Sequence, residues 1–507
     1  MFNFQLFRLS FAGKVGELLL YNFVCTLAFG PEKQSQTGLG RKIHHMSDAN
    51  TPPAVNIAAL IDDGDWAGYQ KLIVALAALA FIVDGLANHV LGLAIPALIA
   101  DWGEQRDAFA KVAALSMAGV GIGAVCGGAL GDRFGRRFGL ILSIAVFGAA
   151  TLVATLAVNT HQLMWIRFID GLALGAAIPN GAALVSEFTP AKRRPIAIAL
   201  GMVFIPVGGF LSGVLGSFVL PVLGWKGLFL IAGALSMGVS ALLFAALPES
   251  PRFLSRCKDR RKELLTVLRR CKYEIADDAE LIDEEATTAS ASVKELFGAG
   301  IRRDTLALWI AFFFCLLGAY AVFSWVPTML SERGFNLAQT SAGMTAYNLG
   351  GCIGGVFSGW IIISIGTRNI SYIIGVGGVL SALLLAILPL DPRAGLLVPA
   401  IALVVMGVFS AGLHNLVYTL AATIYPPTVK ATGVGAAAGL GRLGAVASSF
   451  AGTIALTAGG STGYFVLIAV STMISVTAAA FVSRQIPPNR EPGGTPLFAK
   501  TPALERN

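Results

Sequence analysis

Apolar runs of about twenty residues recur along almost the whole chain from residue 72. A helix needs about that many residues to cross the ~30 Å hydrocarbon core of a bilayer. Nothing else in the sequence constrains the fold as strongly. The runs predict helices over 72–98, 109–130, 139–158, 163–188, 196–219 and 226–247, and then over 305–330, 340–364, 370–389, 395–422, 431–456 and 463–483. The expected fold is therefore all-α and membrane-integral, with twelve transmembrane helices in two six-helix bundles. Composition agrees: 13% of the 507 residues are charged, where a soluble chain carries about a quarter. The 59 glycines also suit membrane helices. A soluble globular body is excluded.

The pattern divides the chain into an N-terminal segment (1–71), a first bundle (72–247), a hydrophilic linker (248–304), a second bundle (305–483) and a tail (484–507), which is expected to be disordered. Leu18 to Phe29 is apolar but too short to span. Met46 opens the polar stretch leading into helix 1, so Met46 is the expected start and 1–45 an extension. The net charge of +8 is unevenly placed. If residues 131–137 face the cytoplasm, most Lys and Arg of the loops lie on that side. The opposite loops hold only Arg106, Lys111, Lys226, Arg333 and Arg393. That asymmetry puts both termini inside and makes the bilayer, not nucleic acid, the partner of the basic excess. Cysteines 25, 126, 257, 271, 315 and 352 have neither metal spacing nor a paired framework and read as free thiols.

The two halves repeat each other weakly. Gly119, Gly123, Gly127 and Gly131 form a smooth face on helix 2, where a neighbouring backbone can approach closely. Gly351, Gly355 and Gly359 are the expected counterpart on helix 8. The loop Gly131-Asp-Arg-Phe-Gly135-Arg-Arg137 is matched after helix 8 by Ile362-Ile-Ser-Ile-Gly366-Thr-Arg368, which lacks the aspartate. Pro190-Ala-Lys-Arg-Arg194 after helix 4 likewise parallels Pro427-Thr-Val-Lys430 after helix 10. Duplicated halves place a binding site near the bilayer midplane between the repeats.

Gly131 to Arg137 resembles the signature loop of the major facilitator superfamily. Arg167-Phe-Ile-Asp170-Gly171-Leu-Ala-Leu-Gly175 is similar to its helix 4 motif, and Pro248-Glu-Ser-Pro-Arg252 to the motif closing its helix 6. Asp84-Gly85, Ala177-Ile-Pro179-Asn180 through Ser186-Glu187, and Ala431 to Gly435 with Gly441-Arg442-Leu-Gly444-Ala445 resemble the aromatic acid/proton symporters. That resemblance implies bacterial uptake of benzoate-like and hydroxylated aromatic acids across the inner membrane. It also implies a gating role for the loop residues Asp132, Arg133, Arg136 and Arg137. The chain departs from that family at Ala87, where a second helix 1 aspartate is usual. The departure bears on proton count and substrate more than on fold.

An ionisable residue within a span costs at least ~2.5 kcal/mol on insertion scales and marks function by default. Arg442 in helix 11 has no acidic neighbour in sequence. Its fork suits a substrate carboxylate; a structural pair from another helix, or a reach to the interface, stays open. Asp84 shares a face of helix 1 with Asn88. It reads either as a proton carrier or as a hydrogen-bonded tie between helices, and His89, off that face, reads as packing. Arg167 and Asp170, three apart on helix 4, are close enough to neutralise each other. Arg167 then belongs to the gating set, and Asp170 is also the candidate for the carboxylate missing at Ala87. Glu187, a turn before Lys192-Arg193-Arg194, is placed in the gating set near the loop. On helix 7, Tyr320 and Trp325 are candidate walls for an aromatic ring. On helix 10, His414, Asn415 and Tyr418 offer hydrogen bonds to ring substituents or between helices.

No G-x-x-x-x-G-K-[ST] loop is present, and no constellation for covalent chemistry, so neither an enzyme nor a cofactor is expected. Transport would draw on an ion gradient or on the substrate's own. The first reading is a monomeric symporter of an organic anion and protons. The others are a same-fold transporter of another solute (a sugar, an aliphatic acid, an exported drug) and a ligand sensor in the membrane that does not transport.

Overall fold

A computed structural model of the chain describes residues 54–487 except 274, 276–279, 283–292, 299–300 and 427–428. The proposed extension before Met46, the Leu18–Phe29 run, Cys25 and the tail beyond 487 lie outside the described residues.

Nine helices among the described residues are long and apolar enough to cross a membrane. Three of the chain's helices run for 53, 51 and 51 residues. At 1.5 Å per residue that is close to 80 Å, more than twice a bilayer core. Each is broken once, at a glycine outside helical geometry: Gly224 (φ 63°, ψ −167°), Gly366 (φ 80°, ψ 161°) and Gly460 (φ 57°, ψ −148°). Backbone with positive φ and ψ near 180° is open essentially to glycine alone, so these residues reverse the chain. Dividing there yields the twelve expected helices.

Helices 1 to 4 span Gly68–Trp102, Arg106–Phe134, Arg136–Ala154 and Thr160–Phe188. Helices 5 and 6 lie on either side of Gly224 within Arg194–Ala246. Helix 7 spans Arg302–Glu332, helices 8 and 9 flank Gly366 within Leu337–Ile387, helix 10 spans Leu397–Ile424, and helices 11 and 12 flank Gly460 within Lys430–Ala480. The duplication is visible in the breaks. Gly135 (φ 109°) between helices 2 and 3 has its equivalent in Gly366, and Gly224 in Gly460.

The helix 2 glycines do what their spacing predicts. A Cβ added at Gly119, Gly123, Gly127 or Gly131 would overlap, in turn, Phe168, Leu172, Ala176 or Asn180 of helix 4, one turn at a time. The helix 8 expectation needs a correction of one residue. Gly350 and Gly354 are the ones pressed against helix 10, on the backbones of Val404 and Val408. Gly351 and Gly355 face helix 5 of the other half instead, 3.6 Å from Pro206 and 3.7 Å from Val203 for an added Cβ. One residue is 100° of helix rotation, enough to change the neighbour.

The two larger apolar cores among the described residues lie one toward each end of the bundles. One gathers Leu140, Phe188, Leu254, Phe312 and Leu420; the other gathers Phe109, Trp225, Trp325, Phe335 and Tyr464. The outer surface is apolar as well, with Val125, Phe218, Val222, Ile387 and Leu397 exposed. A continuous surface of that kind is made for lipid. The linker is folded in part. Pro251–Arg256 and Arg261–Arg270 are short helices, and Glu280–Ile282 pairs in parallel with Ala54–Asn56 ahead of helix 1.

Candidate functional site

The loop between helices 2 and 3 marks one end of the molecule, called the basic end below. At the opposite end the halves touch closely. A Cβ on Gly92 would overlap the Phe323 carbonyl, and one on Gly213 the backbone of Thr345. Arg106 on helix 2 donates to Glu332 on helix 7 at 2.9 Å, an ion pair across the two halves. Toward the basic end the halves part. An added Cβ at Gly128, Gly359, Gly435 or Gly439 would meet nothing within 4 Å among the described residues.

Between these ends, polar groups from both halves converge. Arg442 Nη1 donates to the Tyr320 hydroxyl at 2.5 Å, and its guanidinium lies 5.8 Å from the Tyr320 ring centre. Among the described residues Arg442 has no ion pair. Its electrostatic neighbours are Tyr320, Tyr418 and Asp84, and its charge also reaches His414. Gly121 of helix 2 leaves room for it, 3.5 Å from an added Cβ to the Arg442 Cβ. Tyr418 packs edge-on to Phe312 at 4.9 Å and beside His414 at 5.0 Å. Asp84 is buried at 1% exposure. One of its oxygens accepts from Asn88 Nδ2 at 3.3 Å; the other, like Asn88 Oδ1, has no hydrogen-bond partner among the described residues. Arg442, Asp84, Asn88, Tyr320, His414 and Tyr418 thus belong to one neighbourhood.

Trp325 lies outside it. The ring is fully buried in the core toward the opposite end, against Gly452 of helix 11. Asn415 ties helix 10 to helix 8 through Gly355 O at 3.0 Å and Ser358 Oγ at 2.8 Å. His89 is buried, bonded to Gly85 O at 2.7 Å, with its ring 4.3 Å from that of Phe323 in the other half.

Arg167 and Asp170, both 1% exposed, form an ion pair within helix 4. Thr151 Oγ1 donates to Asp170 at 3.3 Å, and Phe229 lies under the guanidinium at 4.6 Å. The pair forms part of the wall of a cavity shared with Ala87, Asn88, Ser116 and Tyr320. Asp170 also acts electrostatically on Asp84.

At the basic end Arg136 is the hub. It pairs with Asp132 one turn back, reaches Glu187 at 3.4 Å, and donates to Gly128 O at 3.4 Å. Glu187 also accepts from the Ser250 hydroxyl. Arg137 donates its backbone N–H to Glu249 at 3.0 Å and its side chain to Phe244 O at 2.6 Å. Arg133 is exposed and lies over the Phe134 ring at 5.4 Å. Arg194 pairs with Asp62 ahead of helix 1 and not with Glu187. Burial raises the Glu249 carboxyl above the ordinary carboxylate range, against backbone bonds from Arg137 and Ser250 that lower it. Sequence reasoning gave Glu249, Ser250 and Asp62 no role. The Pro248–Arg252 motif pointed to the first two, and nothing local pointed to Asp62.

No metal-holding group of three or more His, Cys, Asp or Glu occurs among the described residues. Two bundles that meet tightly at one end and part at the other, around polar groups drawn from both, define a multi-pass membrane transporter. The chain belongs to the Major Facilitator Superfamily, whose family model matches residues 77–448 and 308–505. It is 32% identical over 411 residues to a gallate transporter of Pseudomonas putida, covering 80% of this chain and 90% of that protein. It is 31% identical over 432 residues to the 4-hydroxybenzoate transporter PcaK of Acinetobacter baylyi, covering 84% and 93%. Among solved structures, a bacterial homologue of the human lysosomal transporter Spinster, inward-facing and occupied, superposes with a TM-score of 0.59 at 15% identity, covering 83% of this chain and 97% of that one.

Proposed function

We propose that the protein imports a small aromatic carboxylate of the benzoate or hydroxybenzoate kind together with protons, by alternating access between its halves. Arg442 carries this reading: a guanidinium between the bundles, bonded to a neutral phenol and with no ion pair among the described residues. Holding a cation there is costly, and a carboxylate arriving from solution offsets that cost bidentately. Tyr320 and Tyr418 supply ring faces, and Asn88 and His414 supply polar contacts. The names of the gallate and 4-hydroxybenzoate transporters favour the same substrate class.

Asp84 is the proton carrier. It lies within the field of Arg442, so loading the anion and loading the proton act on each other. Asp170 is the second proton-binding carboxylate, on the wall it shares with Ala87. Asp132, Arg133, Arg136, Arg137 and Glu187 gate the basic end, and Arg167 holds helix 4 in that cycle. The Lys and Arg excess puts the basic end and both termini in the cytoplasm, and the bacterial relatives point to the inner membrane. One copy of the chain suffices, since each group named belongs to it.

The test is uptake of radiolabelled 4-hydroxybenzoate and related acids into proteoliposomes, with and without an inward proton gradient. The parent accumulates acid only with the gradient, while Arg442→Ala and Asp84→Asn do not. No accumulation of any acid by folded parent would hand the site to another class of solute.

A further inference from the structure

Arg167 is the other cation of the interior, and its pairing with Asp170 uses only part of it. Nη1 serves the aspartate, while Nε and Nη2 have no hydrogen-bond partner among the described residues although the residue is 1% exposed. Buried donors left unmade are rare and costly. These two point the same way, as the side of the guanidinium that receives both oxygens of a carboxylate. Phe229 covers one face of the group at 4.6 Å, so a carboxylate would meet it at its edge. The cavity walled by Arg167 runs past Asn88 to Tyr320, whose hydroxyl already accepts from Arg442. Leu91, Met117 and Leu174 add apolar side chains to the same wall.

We propose that Arg167 is a second carboxylate-binding subsite and that the substrates include aromatic dicarboxylates, one carboxylate on Arg442 and the other on the free edge of Arg167. This rests on Arg442 being the first anchor, as read above. The charges are consistent with it. The Arg167–Asp170 pair is neutral when both are ionised and becomes a net cation when Asp170 takes a proton, so the second carboxylate is matched by a proton held beside it. Asn88 lines the same cavity between Arg167 and Tyr320.

The experiment is competition in proteoliposomes: uptake of labelled benzoate by the parent against unlabelled benzene-1,4-dicarboxylate, with direct uptake of the labelled dicarboxylate beside it. Both signals are expected. In Arg167→Gln the KM for the dicarboxylate rises about tenfold more than that for benzoate, the loss of one charged hydrogen-bonding contact. Arg167→Lys keeps the charge without the fork and falls between. Benzoate uptake with no competition and no uptake of the dicarboxylate by the parent overturns the second subsite and leaves the aromatic-acid reading standing. An unchanged KM ratio in Arg167→Gln also overturns it. Loss of benzoate uptake in folded parent would reject the aromatic-acid reading, and this inference with it.

Discussion

The loops after helix 2 and after helix 8 occupy equivalent places in the duplicated halves and are held by different chemistry. In the first half Arg136 joins Asp132 and Glu187, and Glu249 takes the backbone of Arg137. In the second half Thr367 exchanges neutral bonds with the chain after helix 12. Its hydroxyl donates to Gln485 at 2.6 Å, and its backbone N–H to Ile486 O at 3.1 Å. Glu249 follows helix 6 as Gln485 follows helix 12, so one architecture carries a carboxylate in one copy and an amide in the other. Charge-assisted bonds are about twice as strong as neutral ones. They also depend on the charges that come near them. The lesson is that the second loop is held to its bundle by neutral contacts, while the first is held by charges, the chemistry on which the gating role proposed above rests.

The largest expected effect tests whether the two turns differ as much as their contacts do. Gly135→Ala and Gly366→Ala both force a side chain into glycine-only backbone, about 1–3 kcal/mol each. At Gly135 the new Cβ would also overlap the Glu249 carboxylate. Thermal unfolding in detergent should therefore show the greater loss for Gly135→Ala; equal losses would remove the special place given to Glu249. Next comes transport. Arg136→Gln leaves Asp132 and Glu187 without their common partner and is expected to lower uptake about tenfold, whereas Thr367→Val changes it less than about threefold. Comparable losses would erase the distinction between latch and fastener.

The smallest effect concerns the ion pair that joins the two halves. Arg106 and Glu332 are 20% and 46% exposed, and an exposed pair is worth about 0.2–1 kcal/mol. Arg106→Gln should slow maleimide labelling of a Gly359→Cys reporter in the open cleft by about twofold, because the closed opposite end is then less favoured. Faster labelling would mean that the pair opposes the state described here.

Much of this was legible in the sequence. Length and hydropathy predict twelve helices, and four-residue glycine spacing predicts a close-packing face on helix 2, which helix 4 occupies. On helix 8 glycines fall on two adjacent faces, Gly350 and Gly354 beside Gly351 and Gly355, and spacing alone cannot say which meets helix 10. Tyr320 and Trp325 illustrate a second limit. Both are aromatics of helix 7, but five residues put them about 140° apart, so a single wall could not hold both. The contact between Tyr320 and Arg442 spans 122 residues, and only the packing of the bundles brings it about. Glu187 meets Arg136 and not Arg194, which is nearer in sequence, because Arg194 is held by Asp62 and by Ser186 O.

On the reading proposed above, Arg442 waits for a carboxylate. Equilibrium binding of 4-hydroxybenzoate to purified protein, parent beside Arg442→Gln, measures that without depending on the transport cycle. Binding by the parent and a loss of about tenfold to a hundredfold in the variant are expected, with thermal unfolding showing that the variant is folded. Equal affinity in the two proteins would contradict it.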